Sequence, residues 1–320
     1  AIDRLSPATD NRLVMGPWSH GGWGRGPGDR LGNATFAVKT GEVFRNEIQF
    51  AFFMHHLKDA PLPAGFSRAT MFATGINEFR GHAAWPPPAV RPLTLSLRAG
   101  GRIAEGAAPS PGAARTFDEY VSDPARPVPY VGYVASGMTS DYMTEDQRFA
   151  ATRPDVLVYS TGPLEEDLAV AGPISVSLTV SSTGTDSDFV VKIIDAYPGS
   201  YPQPEPPAAA AGQPAARPPS NYVRMGGYQQ LVRGEPFRAK FRRSFEAPVP
   251  LVPGEPTEIT FDLPDVYHVF RPGHRLIVQV QSSWFPLVDR NPQRFMDIPK
   301  AKAGDFQKAE QIKAQCLEVG

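Results

Sequence analysis

One imidazole opens the chemical reading of this chain. In "GPWSHGGW" (Gly16–Trp23), His20 stands between two tryptophans, behind a proline and in front of paired glycines. An apolar run ends here, and Pro17 and the glycines force a sharp loop. That is where a general base must sit if its ring is to reach a nucleophile. The same residues also describe a histidine packed between Trp18 and Trp23, and residue types alone favour that blander state. Ser19 is not expected to form a dyad with His20, because adjacent side chains diverge. The chain holds no G-x-S-x-G, the turn that exposes a nucleophilic serine. Cys316 lies in a polar tail, a poor place for a pre-organised thiolate.

Other candidates are weaker. His55 and His56 are neighbours, whereas two metal ligands on one helix face need i, i+4 spacing. Asp186–Asp188 ("DSD") starts like a calcium loop. Its sixth position is Val191 rather than glycine and its twelfth is Tyr197 rather than glutamate, so that reading fails. Gly24–Gly32 ("GRGPGDRLG") lacks the G-K-[ST] ending of a phosphate cradle and reads as a flexible loop beside His20. Tyr267, Phe270, Trp284 and Phe285 flank the last strands. They either fill the core and the face toward the first ninety residues or line a sugar-binding surface.

The elements that must position these residues fall into two textures. In residues 1–90, Asn11–Gly16 and Arg68–Gly75 read as buried strands. Glu42–Lys58 reads as a helix whose inward positions are Phe44, Ile48, Ala51 and Phe52. Strand, helix, strand is an α/β pattern. Beyond the stiff prolines 86–88, helical periodicity fades. Residues 155–161, 174–182, 189–197, 237–246, 257–263 and 275–283 read as strands, several alternating polar and apolar. Many short strands with proline-rich turns predict a β-sandwich or jelly roll over 91–320. Residues 198–220 are low in complexity and read as a proline/alanine-rich surface loop.

Composition narrows the function classes. The 320 residues carry 32 basic and 33 acidic side chains, a net charge of −1. That balance gives no electrostatic reason to expect nucleic acid or an anionic membrane. No apolar run approaches a membrane span. A single cysteine excludes an internal disulfide. The first residues have neither the pattern of a signal peptide nor an initiator methionine, so the chain is expected to be a piece of something longer.

Several stretches resemble the C-terminal half of CocE/NonD-type serine hydrolases. That family includes the α-amino acid ester hydrolases, glutaryl-cephalosporanate acylases, bacterial cocaine esterase and X-Pro dipeptidyl peptidases. The residues are "RLVMGPWSH" (Arg12–His20), "FFMHHLKD" (Phe52–Asp59), "YVSDPARPVPY" (Tyr120–Tyr130), "YMTEDQRFAATRPDVLVY" (Tyr142–Tyr159), "GTDSDFVVKIIDAYP" (Gly184–Pro198), "MGGYQ" (Met225–Gln229) and "SSWFPLVDRNPQ" (Ser282–Gln293). The resemblance implies the end of an α/β-hydrolase domain followed by a jelly roll, with His20 as the triad base. It implies a bacterial ester or amide hydrolase without a cofactor, working through an acyl-enzyme. The serine and the aspartate would lie on an upstream segment, and Asp3 and Asp10 are in the wrong place to replace that acid. This chain alone is then expected to be inactive, and a homo-oligomer is compatible with it. Compartment stays open between periplasmic or secreted and cytoplasmic. The rival readings are a jelly-roll module binding carbohydrate or another ligand, and a noncatalytic relative.

Overall fold

The structure, a computed structural model, describes residues 2–106, 117–203 and 223–314. Its first part alternates strand and helix. Strand β1 (Leu13–Met15) is followed by a small hairpin of β2 (Arg30–Leu31) and β3 (Ala34–Thr35), then by helical residues 40–58. Strands β4 (Ala69–Ala73) and β5 (Glu78–His82) complete a sheet of order β1-β4-β5. β1 and β4 are parallel, Leu13 opposite Ala69 and Met15 opposite Met71. A parallel pair needs a crossover, and the helix supplies it. Phe44, Ile48, Ala51 and Phe52 are half-buried, yet no residue between Phe44 and Lys58 is fully buried. The stretch Phe44–Gln49 is a π-helix rather than α. Its wider turn re-phases the apolar stripe. Phe50 (60 % exposed), Phe53 (49 %) and Leu57 (70 %) are consequently left facing outward.

The remaining strands are β6 (Leu95–Arg98), β7 (Arg102–Glu105), β8 (Phe117–Ser122), β9 (Val156–Ser160), β10 (Leu168–Ser182), β11 (Asp188–Ala196), β12 (Gln229–Arg238), β13 (Thr257–Phe270), β14 (Arg275–Gln281) and β15 (Ala309–Ala314). They form a four-stranded sheet, β13-β10-β15-β8, and a six-stranded sheet, β12-β11-β14-β9-β7-β6. Alternation explains their packing. Ile174, Val176, Leu178 and Val180 of β10 share one core with Val191 and Ile193 of β11. The opposite face of β11, with Val190 and Ile194, packs under Tyr130, Val131 and Trp284. Covered on both faces, β11 reads as a nearly continuous apolar run.

Phe237–Glu246 departs from its expected strand. β12 ends at Arg238 and the chain turns through a 3-10 helix, Ala239–Phe241. The buried carboxylate of Asp186 accepts the Lys240 amide, and Arg238 pairs with Asp188, which draws the chain off the sheet. β5, β7, β8 and most of β12 had no sequence signal strong enough to name them. Cys316, most of the loop at 198–220 and the last residues of the tail lie outside the described residues.

The two parts meet along a seam. The Thr74 amide donates to the Tyr267 carbonyl (3.1 Å), and the Val269 amide donates to the Thr74 carbonyl (2.8 Å). The turn after β4 thereby pairs with the edge of β13. Gly75 makes the approach possible: it has φ +90°, and a Cβ there would lie 2.0 Å from the Val269 carbonyl oxygen. Tyr267 packs on the rings of His82 and Trp85, each at 5.4 Å.

Candidate functional site

The loop leaving β1 is built from its packing inward. Trp18 folds back over Gly16, where a Cβ would lie 2.4 Å from the indole. The Trp18 ring meets Phe44 at 5.3 Å and Trp23 at 6.3 Å, and its Nε1 donates to Thr40 Oγ1 at 2.8 Å. Arg45 donates to the carbonyls of Trp23 and Gly26. The glycine-rich loop that the sequence suggested was flexible is therefore pinned to the start of the helix.

His20 sits at the tip of this packed base. Its residue is exposed, its ring touches only the edge of Trp23 (6.2 Å), and it makes no hydrogen bond among the described residues. Trp18 is half-buried in the base and His20 is presented outward. Ser19 is not bonded to it. β1 and β4 run parallel, and the His20 loop leaves the C-terminal end of β1, the end at which open α/β sheets place their chemistry. β1 is bonded to β4 on one side only, and its other edge has no partner among the described residues. Leu13 (40 % exposed) and Met15 (51 %) stand on that uncovered strand.

The remaining candidates resolve into structural roles. Asp10 pairs with Arg12 (3.0 Å) and His56 (3.1 Å) rather than His20. Burial raises the Asp10 carboxyl, but the bonds from Arg12 and His56 bring it below its ordinary value. His55 Nδ1 lies 2.8 Å from the Ala60 carbonyl. Among the described residues, no group of three or more His, Cys, Asp or Glu could hold a metal ion. Asp186 and Asp188 are buried beside Lys240, Arg238 and Asn291. Burial, then the neighbouring Asp188, pushes Asp186 up to about 6. Of the aromatics, Phe270 and Trp284 are buried and Tyr267 packs on residues 82 and 85, while Phe285 is exposed.

Sequence reasoning missed one constellation. Asp195, 1 % exposed, lies 2.8 Å from His274 Nδ1 and 3.1 Å from His268 Nε2. His268 Nδ1 in turn lies 2.8 Å from Thr74 Oγ1. The residue types imitate a charge relay, but the Thr74 hydroxyl also donates to the Tyr267 carbonyl and the group is shut inside the seam. The partners are distant in sequence, so no local spacing could have revealed them.

The fold defines a sheet-rich unit, with six strands in one sheet of the second part and four in the other. Residues 67–309 match the X-Pro dipeptidyl-peptidase C-terminal non-catalytic domain, and the chain belongs to that family. Within it, the chain is a C-terminal region of the CocE/NonD type. It is 31 % identical over 318 residues to the cocaine esterase of Rhodococcus sp. (strain MB1 Bresler), covering 97 % of this chain and 48 % of that protein. A crystal structure of an aminopeptidase from a marine sediment Thaumarchaeota archaeon superposes with a TM-score of 0.86 at 37 % identity. An α-amino acid ester hydrolase gives 0.84 at 38 %. Each of these two alignments covers 99 % of this chain and 51 % of the other. The chain thus spans about half the length of these relatives. His20 precedes the matched non-catalytic segment.

Proposed function

We propose that the chain is the C-terminal half of a serine hydrolase that cleaves esters or amides through an acyl-enzyme, and that His20 is its general base. Residues 1–90 then finish an α/β-hydrolase domain and residues 91–320 form a jelly roll that caps it. The nucleophilic serine and the aspartate that orients the imidazole belong to an upstream segment. The observation that carries this reading is His20 itself: an exposed imidazole with no partner among the described residues, held out on a rigid base beside an unpaired strand edge. In that role the ring takes the serine proton during attack and returns it to the leaving group. The upstream segment would continue the sheet at β1 and cover Leu13 and Met15. Burial of Trp284 and Phe270, and the packing of Tyr267 on His82 and Trp85, support a cap over a carbohydrate-binding face.

The test uses the full-length polypeptide and p-nitrophenyl acetate. His20→Ala is expected to lower kcat by roughly a thousandfold or more with little change in folding. The chain alone is expected to give no rate above buffer. Wild-type-like turnover by the variant, or hydrolysis by the isolated chain that depends on His20, rejects the assignment.

A further inference from the structure

The four-stranded sheet of the sandwich ends in two unlike edges. β13 carries the seam with Thr74. β8, at the other end and three strands from the seam, is bonded only to β15. Its outer edge has no strand partner among the described residues. The upstream segment proposed above would meet β1, away from this edge.

The bonding of β15 shows which backbone groups of β8 are free. Glu310 turns its backbone toward β10: its carbonyl accepts the Thr183 amide, and its amide donates to Thr183 Oγ1, both at 3.0 Å. Successive residues of a strand bond to opposite sides. Ala309 and Gln311 therefore turn toward β8, where they oppose Ser122 and Tyr120. Glu119 and Val121, one place along, aim their N–H and C=O groups off the open edge. The side chains of Phe117, Glu119 and Val121 are exposed, whereas Tyr120 and Ser122 are buried. A hollow of about 490 Å³ lies beside the edge, walled by Glu119, Tyr120, Val121, Pro154, Asp155 and Glu310. Asp155 is paired with Arg153 at 2.7 Å, but Glu119 and Glu310 have no cationic partner among the described residues.

We propose that the open edge of β8 receives an extended segment of a partner protein as an added strand, and that this segment carries a Lys or Arg between two apolar residues. Strand addition pairs the outward N–H and C=O groups of Glu119 and Val121. Alternate side chains of the added strand fall on the exposed face, beside Phe117, Glu119 and Val121. Apolar residues fit beside Phe117 and Val121. A cation fits between them, beside Glu119, and Glu310, opposite Val121 in β15, adds to the negative field there. The intervening side chains turn into the hollow, toward Tyr120 and Pro154. A second copy of β8 is a poor occupant, because two-fold pairing about Glu119 or Tyr120 brings two Glu119 carboxylates together without a counter-charge. Charge complementarity selects a basic segment.

Fluorescence anisotropy of a labelled peptide, Thr-Val-Thr-Lys-Thr-Val-Thr, titrated with the full-length protein at low salt tests this. Saturable binding is expected below about 1 mM protein. Replacing the peptide's Lys by Glu, or Glu119 and Glu310 of the protein together by Lys, should weaken it at least about fivefold. Val121→Pro removes an outward N–H that the ladder to β15 does not use, and should weaken binding at least about tenfold. Saturating peptide should slow amide exchange at Glu119 and Val121 and leave Tyr120, already bonded to β15, unchanged. No saturable signal, equal affinity for the Glu peptide, an unaffected E119K/E310K protein, or binding that leaves exchange at Glu119 and Val121 as it was would each overturn the proposal. Should Val121→Pro fail to fold, the double charge reversal on the exposed face and the exchange pattern decide.

Discussion

Lys192 shows what a single side chain can cost. It is wholly buried on the outer face of β11, with Nζ 2.9 Å from Gln147 Oε1 and 5.0 Å from the Trp284 ring. No carboxylate among the described residues compensates it, and burial pushes its amine down to about 7. The folded value lies below the unfolded one of 10.5. Between those values the unfolded chain binds more protons, so this residue makes stability rise with pH. Lys192→Met removes that penalty but leaves Gln147 Oε1 short of a donor, a loss of about 1–3 kcal/mol. The variant is therefore expected to be more stable than the parent by about 1–2 kcal/mol at pH 6 and less stable at pH 10. Urea unfolding at the two pH values checks the reversal of sign. At this same scale the sequence reached His20 through its loop chemistry, but could not tell which of His20 and Trp18 would pack into the base of the loop. That depended on Thr40 and Phe44, more than twenty residues away, reaching the indole first.

Elements with a strong period were legible, and those defined by tertiary partners were not. β1, β4, β10, β13 and β14 follow apolar runs, and the helix at 40–58 follows its stripe. β8 lacked such a signal because its pairing comes from β15, far along the chain. The strand expected at 237–246 failed because buried charge at Asp186 and Asp188 outweighed alternation. The seam is likewise a product of contact rather than of local sequence, and it yields a prediction about elements. Gly75→Ala puts a methyl against the Val269 carbonyl at a φ that alanine rarely adopts. A cost of about 2–4 kcal/mol is expected from the strain and the displaced backbone bonds. Amide exchange should speed up at Thr74 and Val269, whose N–H groups cross the seam, and stay slow at Ile193 and Val278 inside the sandwich. Uniform acceleration at all four sites would mean that the two parts open together rather than at the seam.

For the molecule as a whole, the imbalance of cover is the main result. The sandwich buries its core on both sides of β11, whereas the helix and β1 leave Phe50, Phe53, Leu57, Leu13 and Met15 in the open. Each large apolar side chain gains about 1.5–3 kcal/mol when fully covered. The isolated chain is therefore expected to bind the dye ANS and to self-associate in light scattering. Phe50→Ser with Leu57→Ser should reduce both without lowering the unfolding midpoint. If the double variant loses stability instead, those side chains already contribute to a packed core.

The placement of β15 also sets an order of events. In the four-stranded sheet it lies between β10 and β8, and β8 has no other partner there. Residues 117–122 leave the ribosome early, yet their neighbour is not made until residues 309–314 have been added. At about 5–20 residues per second, that is a delay of roughly ten to forty seconds. During it, a nascent strand edge stays open beside growing polypeptide, and a factor that shields such edges during translation would find its client there.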